Sequence, residues 1–391
     1  MKPRKKKAKE LVLPHSQAKL DLYQTYLGKF LTILSLAQFT TAVNIYDIFC
    51  GTGIYKDEKF GSPILAYNSI VRTKRLFNSR NWKLKPLKLI INDGEAEKVD
   101  KVRNYLERMT KVCNFEFHNK DSEEIIGILK KQIAKQSSTI RNLILIDPYG
   151  YKEIHKGDID SLMRKKNTEI LLFLPVAQMY RFSTVAQKEN TTNTGYIRLK
   201  EFIEDFFHET HAIRNNQITD IFHYISEIES ALTLGKYYSS SYYIQRDKSN
   251  YYALFFLTPN LFGLEKILGA KWQLDEYRGE GYKLEGDQLG LFDDVDNKAK
   301  YKKKLKVLKK DLTEFLAEKK RSNRGLYEFT LLKSFLPKHT NELLRGWQSK
   351  QQLEVRFVSD DTEAPPRAFY INYRNYKSQE PKVYYILKLN N

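Results

Sequence analysis

The sequence predicts an α/β fold, a doubly wound and mostly parallel sheet, with a winged-helix-like domain at the C-terminus. Short apolar runs of strand length alternate with polar helical segments through the first half of the chain. This alternation favours parallel strands, because each crossover helix covers one face of the sheet. A glycine-rich turn follows the first apolar run, and residues 322–391 show two helical patterns followed by two strand patterns.

The predicted elements of the α/β part follow in a regular order. An amphipathic helix is expected over residues 16–39, where apolar residues recur at helical spacing. A mainly helical insertion at about 197–240 separates the early strands from a later one at 251–259. The early strand candidates are residues 43–49, 87–93, 114–119, 142–148 and 169–175. Together these elements predict one α/β domain over residues 15–297, after a basic tail at 1–14.

The C-terminal part begins with a basic linker helix, expected over residues 298–321, in which leucines form one stripe. In the winged-helix-like domain (322–391), Thr340 is predicted to cap the second helix, which would be the recognition helix. The segments LEVRFV (353–358) and RAFYINY (367–373) would then pair as a hairpin. Such a domain binds nucleic acid or, as the alternative, mediates dimerisation.

The charge of the chain indicates the class of partner. Lys and Arg number 66 against 47 Asp and Glu, which gives a formal charge of +19. This surplus favours a polyanion, DNA or RNA, and the alternative is a set of lysines that only keep the surface solvated. The candidate nucleic-acid contacts are Lys303, Lys306, Lys310, Lys338, His339 and Arg345.

Composition gives no sign of a membrane, a secretory route or a metal. No apolar run approaches the about 18 residues of a membrane span, and the basic N-terminus lacks the apolar stretch of a signal peptide. Cys50 and Cys113 are the only cysteines, too few for a disulfide framework or a zinc site. The expectation is a cytoplasmic protein that holds no metal.

The turn DIFCGTG (47–53) places an acid and two glycines at the end of the first strand. Glycine lets backbone approach a ligand where a Cβ would obstruct it. The order Asp47-x-Phe49-x-Gly51-x-Gly53 resembles the first motif of S-adenosylmethionine (SAM)-dependent methyltransferases, and Lys56 stands where a dinucleotide-binding turn has glycine. The resemblance implies a site for the methionine end of SAM, with Asp47 facing its cationic ammonium group. The alternative is an ordinary strand-to-helix turn.

Acids after the next two strands are candidates for the rest of a cofactor site. Asp93 or Glu95, after the second strand, can accept hydrogen bonds from ribose hydroxyls. Asp121, after the third strand, lies where a carboxylate usually meets the adenine amine of the cofactor. It can equally be the N-cap of the following helix.

The fourth strand ends in Asp147-Pro148-Tyr149-Gly150. This segment is similar to the Asp/Asn/Ser-Pro-Pro-aromatic motif of amino-group methyltransferases, where the first side chain and a proline carbonyl hold the acceptor amine. Tyr149 replaces the second proline of that motif. The resemblance therefore implies that Asp147, Pro148 and Tyr149 face a methyl acceptor, without saying which atom is methylated.

Several stretches together resemble the three-Cys-motif partner family over nearly the whole chain. They are HSQAKLDLYQTYL (15–27), YDIFCGTG (46–53) with GSPILA (61–66), IDPYGYKEI (146–154), YYALFFLTPN with LFGLEKILGAKW (251–272) and LYEFTLLKSFLPKHTNELLRGW (326–347). The resemblance implies a methyltransferase-like fold and a protein partner encoded nearby, and it implies no particular reaction.

The combined prediction is a SAM-dependent methyltransferase-like protein that acts on or binds nucleic acid, with catalysis itself left open. One alternative is a non-catalytic module that binds nucleic acid or a protein partner. Another is a metal-dependent nuclease, because acids at the strand ends can bind Mg²⁺ through their oxygens. Those acids are Asp47, Asp93, Asp121 and Asp147.

Overall fold

The computed structural model describes residues 13–148, 150, 154–188, 192–283 and 293–388. The chain forms two compact units, Met1–Gly263 with Gly281–Leu284 and Leu264–Glu280 with Glu285–Asn391. The division falls inside a helix, earlier than the boundary predicted at residue 298. No helix among these described residues is long and apolar enough to cross a membrane.

The first unit contains an eight-stranded sheet with the order β3-β2-β1-β4-β5-β7-β6-β8. Strands β1 to β5 pair in parallel, and β7 is antiparallel to both β5 and β6. This is the mostly parallel, doubly wound sheet that the sequence predicts. The strands are β1 Ala42–Asp47, β2 Leu87–Asn92, β3 Asn114–His118, β4 Ile140–Ile146, β5 Thr168–Leu174, β6 Tyr238–Gln245, β7 Tyr251–Thr258 and β8 Gly281–Tyr282.

Helices pack on both faces of this sheet, so its central strands are apolar almost throughout, as parallel strands usually are. In β1, Val43, Ile45 and Tyr46 are all buried. Helices α7 and α8 lie in the region predicted as a helical insertion, about 197–240, and strand β6 begins at its end. The helices are α1 Pro14–Leu36, α2 Ser62–Ser79, α3 Ala96–Glu107, α4 Ser122–Lys135, α5 Lys156–Met163, α6 Val176–Ala186, α7 Thr194–Phe206, α8 Ile221–Leu232 and α9 Leu261–Leu274.

The register of the central strands brings the predicted acids to one edge of the sheet. Asp47, the last residue of β1, pairs with Ile91 on β2 and with Leu145 on β4. Because the three strands are parallel, Asp93 and Asp147 follow their strands at the same edge as Asp47. The chain leaves β1 toward β2 on one side and later occupies β4 on the other, which makes this edge the switch point where such sheets bind ligands.

The second unit is a winged helix in which three helices pack on a small antiparallel sheet of order β10-β11-β9. Helix α10 is part of this core, because its Leu305 and Leu308 cluster with Trp272 and Phe335. The expected linker helix is therefore the first helix of the winged helix. Its elements are α10 Asp293–Glu318, β9 Arg321–Ser322, α11 Asn323–Leu332, α12 Pro337–Ser349, β10 Leu353–Phe357, α13 Tyr373–Tyr376 and β11 Val383–Leu387.

The prediction of the second strand of the hairpin is wrong. The partner of β10 is β11, and RAFYINY (367–373) forms no strand. Arg367 and Tyr370 have φ values of 67° and 53°. Such left-handed backbone cannot continue a strand, so this segment runs beside the sheet as a loop.

Candidate functional site

The glycine turn after β1 needs its glycines for conformation and for space. Gly51 and Gly53 have φ values of 61° and 69°, a region that L-residues with a Cβ rarely adopt. A Cβ on Gly53 would lie 2.6 Å from Cγ2 of Val102. Gly61 donates its N–H to the Gly53 carbonyl oxygen at 2.7 Å, and a Cβ on Gly61 would lie 3.3 Å from Gly53 Cα. The GTG and GSP stretches therefore form one close-packed cradle.

Replacing Gly53 by alanine is expected to lower the free energy of unfolding by about 1–3 kcal/mol, because the left-handed backbone is strained and Val102 must move. Urea denaturation measures the effect. The matched control is Gly127→Ala in α4, where a Cβ meets nothing within 4 Å. That control should gain up to about 1 kcal/mol from helix propensity. A Gly53→Ala protein as stable as the parent would show that the cradle relaxes without cost.

Asp47 is a fully buried carboxylate at the floor of this cradle, with 0% of its surface exposed. Neither carboxylate oxygen has a partner at ordinary hydrogen-bond geometry among the described residues, although the Ser62 hydroxyl and the Phe49 N–H are close enough to lower its pKa. Burial raises the pKa of Asp47 to about 7, and the nearby Ser62 hydroxyl, Lys19 and the Phe49 N–H offset this rise only in part. A buried carboxylate without a hydrogen-bond partner is costly in its charged form.

Asp147, which the sequence predicts on the acceptor side, is paired with a residue that the sequence patterns did not indicate. Helix α1 brings the ammonium of Lys19 into an ion pair with Asp147 Oδ2. The Lys19 ammonium also lies 4.6 Å from the centre of the Phe173 ring. Burial lowers the pKa of Lys19, but Asp147, with smaller contributions from Tyr55 and Asp47, outweighs burial and the net pKa is raised. In the sequence, Lys19 stands between Ala18 and Leu20, two apolar residues that are buried in the structure. This position could have marked Lys19 as a residue of the site.

Aromatic side chains line the same edge. The Phe173 ring stacks on Tyr252 at 5.2 Å, and Tyr252 stacks on His15 at 5.7 Å. Tyr23 of α1 has an enclosed hydroxyl without a hydrogen-bond partner in the described ranges, and burial together with Asp47 raises its pKa well above the usual value. Pro148 is buried, and Tyr149 lies outside the described residues.

Of the two candidates for the ribose hydroxyls, Asp93 is the one that contacts the glycine turn. Its Oδ2 accepts the Gly51 N–H and its Oδ1 accepts the Glu95 N–H, each at 3.0 Å, and Lys98 Nζ lies 3.6 Å away. The Glu95 side chain is 69% exposed and pairs with Lys98 at 2.8 Å. The structure thus brings Asp47, Asp93 and the turn together and leaves Glu95 at the surface.

Asn92, which the sequence motifs did not indicate, links the ends of three strands through hydrogen bonds. Its Nδ2 donates to the carbonyl oxygens of Ile48 and Lys120, and its Oδ1 accepts the Lys120 N–H, all at 3.0 Å. Asp121 is the N-cap of α4 and accepts the Glu124 N–H at 2.9 Å. Phe49 is half-buried and packs on the sheet core.

Three of the four acids at this edge are engaged by other groups. Asp93 bonds the turn, Asp121 caps α4, and Asp147 pairs with Lys19. Within the described ranges, no group of three or more His, Cys, Asp or Glu side chains is placed to hold a metal ion. The geometry gives no support to the nuclease interpretation.

In the second unit, five of the six predicted nucleic-acid contacts lie at the surface. Lys303, Lys306 and Lys310 are exposed on α10, and Lys338 and Arg345 are exposed on α12. Two helices of the winged helix therefore carry accessible cations.

The prediction that His339 is a surface contact for nucleic acid is wrong. It is 1% exposed, its Nδ1 accepts the Leu336 N–H at 3.0 Å, and its ring centre lies 4.2 Å from that of Trp272. Burial lowers its pKa to about 3, so it is neutral and cannot attract a phosphate. The error arose from the predicted helix start, because α12 begins at Pro337 and buries both His339 and Thr340.

Comparisons with known proteins agree with the winged helix. Residues 282–358 match the family model described as the GMT-like wHTH domain. No match was found among curated proteins.

Several similar solved structures are methyltransferases. The O-methyltransferase TomG from Streptomyces achromogenes, involved in tomaymycin synthesis and in complex with SAM, is 9% identical, with 61% of this chain and 80% of that chain covered and a TM-score of 0.33. The O-methyltransferase from Bacillus cereus in complex with SAH is 9% identical (60% and 80% covered, TM-score 0.31). Human methyltransferase-like protein 13 in complex with SAH is 10% identical (72% and 98% covered, TM-score 0.30). At such low scores, the methyltransferase-type fold of the first unit rests on its own strand order and switch point.

Proposed function

We propose that the chain is a SAM-dependent methyltransferase-like protein that acts on or binds nucleic acid. The observation that carries this proposal is the buried Asp47 carboxylate, which has no hydrogen-bond partner among the described residues and a pKa of about 7 beside a left-handed glycine turn. A ligand that brings a cationic ammonium group into this cradle would satisfy the carboxylate and favour its charged form.

The residues at the carboxyl edge of the sheet fit the rest of SAM. Asp47 would hold the methionine ammonium, the backbone of Gly51 and Gly53 would lie along the ligand, and Asp93 would accept from the ribose hydroxyls. Asp121 is the candidate for the adenine amine. When bound, SAM supplies an activated methyl group, so the protein's task is to orient the acceptor and exclude water.

Asp147 and Pro148 are the candidates for the methyl-acceptor side, together with Tyr149. In this role Asp147 would bind the acceptor group and keep it oriented, while Lys19 would have to leave the carboxylate. The ion pair between Lys19 and Asp147 also favours a second candidate function, a non-catalytic module that keeps the fold and binds nucleic acid or a protein partner.

The exposed cations of α10 and α12 support nucleic acid as the partner, since the winged helix places them on two helices of one unit. Membership of the three-Cys-motif partner family, with a protein partner encoded nearby, belongs to the same proposal. It rests on the motifs HSQAKLDLYQTYL, YDIFCGTG and IDPYGYKEI.

Isothermal titration with SAM tests the cofactor half of the proposal. The parent protein and Asp100→Asn should bind with similar affinity, and Asp47→Asn should bind about 10- to 150-fold more weakly. Asp100 is a suitable control because it is an exposed acid of α3 that pairs with Arg103. Absence of binding to the parent at millimolar SAM would refute a cofactor site.

Transfer of radiolabelled methyl groups to DNA, tRNA and total RNA separates the two candidate functions. Incorporation into any of them supports the enzyme, and Lys19→Met should alter the rate by freeing Asp147. SAM binding without transfer to any nucleic acid, in both the parent and Lys19→Met, would favour the non-catalytic module.

A further inference from the structure

Lys19 occupies the position that the proposed function assigns to a methyl acceptor. Its ammonium forms an ion pair with Oδ2 of Asp147, the acid proposed to hold the acceptor group. The ammonium and Asp47 also shift each other's pKa, so Lys19 lies within electrostatic reach of the carboxylate proposed to hold the methionine end of SAM. One amine nitrogen is therefore near both carboxylates, the one proposed for the donor and the one proposed for the acceptor.

An aromatic ring also contacts this ammonium. Nζ of Lys19 lies 4.6 Å from the centre of the Phe173 ring, and Tyr252 stacks on Phe173 with the ring centres 5.2 Å apart. Aromatic faces bind alkylammonium ions, including methylated ones, because the ring face is electron-rich. A methyl group added to Nζ leaves the positive charge in place, so the contact with the Phe173 ring suits the methylated lysine as well as the unmodified one.

The ion pair is partly open to solvent. The side chain of Lys19 is 16% exposed and that of Asp147 is 28% exposed, so a small molecule can reach the ammonium and its proton can pass to water. Burial lowers the pKa of Lys19, but Asp147, with smaller contributions from Tyr55 and Asp47, raises it further, so the amine is protonated in the ligand-free protein. A second cation next to it, such as the sulfonium of SAM, favours the neutral amine.

We propose that the protein methylates its own Lys19, with SAM as the methyl donor. The ammonium first loses a proton to solvent. The lone pair of the neutral amine then forms the new N–C bond, while the S–C bond of the sulfonium breaks and its electron pair stays on sulfur, which leaves SAH. This inference rests on the proposed cofactor site and names a protein side chain as an acceptor in addition to nucleic acid.

Incubation of the purified protein with SAM, followed by mass mapping of its peptides, tests self-methylation. The parent should gain methyl groups on Lys19 ahead of its more exposed lysines, because Lys19 lies beside both carboxylates. Chemical methylation without a site would modify the exposed lysines first. Because donor site and acceptor belong to one chain, the half-time should not depend on protein concentration.

Two lysine variants complete this experiment. Lys19→Met keeps a side chain of similar length without the amine, and it should abolish the early incorporation. The matched control is Lys101→Met, which removes an exposed lysine of α3 that pairs with Glu97 at 3.0 Å. That variant should methylate Lys19 at the parental rate.

Equilibrium binding gives a readout that does not depend on catalysis. An ammonium placed next to the methyl group of SAM opposes the sulfonium charge, whereas SAH has a neutral sulfur in its place. Lys19→Met should therefore raise the affinity for SAM relative to SAH by at least about fivefold, the effect in water of two unit charges about 4 Å apart. Lys101→Met should leave the ratio of the two affinities at the parental value.

The outcomes distinguish failure of self-methylation from failure of the cofactor site. SAM binding with Lys19 unmodified, or with methyl groups on exposed lysines first, would overturn self-methylation and leave the cofactor site standing. A half-time that shortens as protein concentration rises would show transfer between molecules and overturn the intramolecular step. An unchanged ratio of affinities in Lys19→Met would overturn the placement of Lys19 beside the methyl group. Absence of SAM binding to the parent would refute the cofactor site, and self-methylation with it.

Discussion

Asp47→Asn is expected to make the ligand-free protein more stable at neutral pH while weakening SAM binding by about 10- to 150-fold, the value of a hydrogen bond to a charged group. Burial raises the pKa of Asp47 from 3.8 to about 7. One pKa unit corresponds to about 1.36 kcal/mol, so ionising Asp47 in the folded state costs up to about 4 kcal/mol. Asparagine avoids this cost but still places a polar group in the interior. We therefore expect Asp47→Asn to raise the free energy of unfolding at neutral pH by about 1–3 kcal/mol.

The pH dependence of the stability follows from the direction in which the pKa of Asp47 is shifted. Below pH 4 Asp47 is protonated in both the folded and the unfolded state and changes nothing. Between about pH 4 and pH 7 the unfolded chain releases its proton and the folded protein retains it, so stability falls as pH rises. Above about pH 7, Asp47 is ionised in both the folded and the unfolded state, so its contribution to the free energy of unfolding no longer changes with pH. The gain in Asp47→Asn should therefore be larger at pH 8 than at pH 5 in urea denaturation.

Glu169 provides a matched control for this titration. It is partly buried, desolvation raises its pKa to about 7 as well, and it accepts hydrogen bonds from Tyr26 and, at 2.7 Å, from Thr258. Glu169→Gln should likewise flatten the fall in stability between pH 4 and pH 7, and it should leave SAM affinity unchanged. If Asp47→Asn lowers stability at pH 8, Asp47 has a structural partner and the interpretation of an unsatisfied carboxylate is wrong.

Charge reversal of Lys303, Lys306 and Lys310 to glutamate is expected to weaken nucleic-acid binding most at low salt. The three lysines are exposed and, at spacings of three and four residues, share one face of α10. With six phosphate contacts in all, parental affinity should fall by about three orders of magnitude between roughly 50 and 200 mM salt. Loss of three contacts should reduce the log–log slope by about 3 for a duplex.

The control for this experiment reverses three exposed lysines of the first unit, Lys83, Lys111 and Lys131, and so changes net charge equally. That protein should keep the parental slope, and neither triple variant should change SAM affinity. Equal slopes in the two triple variants, or a parental slope near zero, would mean that the α10 lysines only keep the protein soluble.

The strands of the sheet could be predicted where burial requires apolar residues along the strand. Strands β1, β2, β4, β5 and β7 are buried over most of their length, so they appear as apolar runs, and the edge strand β3 is only partly buried. Strand β6 was missed because Ser239, Ser240 and Ser241 interrupt its apolar pattern. The RAFYINY segment was misassigned because Phe369 and Ile371 are both buried and alternate as in a strand. Residue alternation does not report the left-handed backbone at Tyr370.

The candidate site was predictable to the extent that it follows strand ends. Asp47, Gly51, Gly53 and Asp93 lie together because parallel strands end at one edge. Lys19 and Tyr23 reach that edge only through the packing of α1, which local sequence patterns do not encode. The misplaced helix start at Thr340 turned the buried His339 into an expected surface residue.

Proton release during SAM binding tests the central claim, that Asp47 receives the cationic group of the ligand. Calorimetric titration at pH 6 in two buffers of different ionisation enthalpy gives the number of protons released. Asp47 has a pKa of about 7 and is mostly protonated at pH 6 in the free protein, so a bound ammonium group should expel its proton. The account predicts that about one proton is released by the parent, and by Asp100→Asn, as SAM binds. Binding without proton release, or with unchanged affinity in Asp47→Asn, would contradict it.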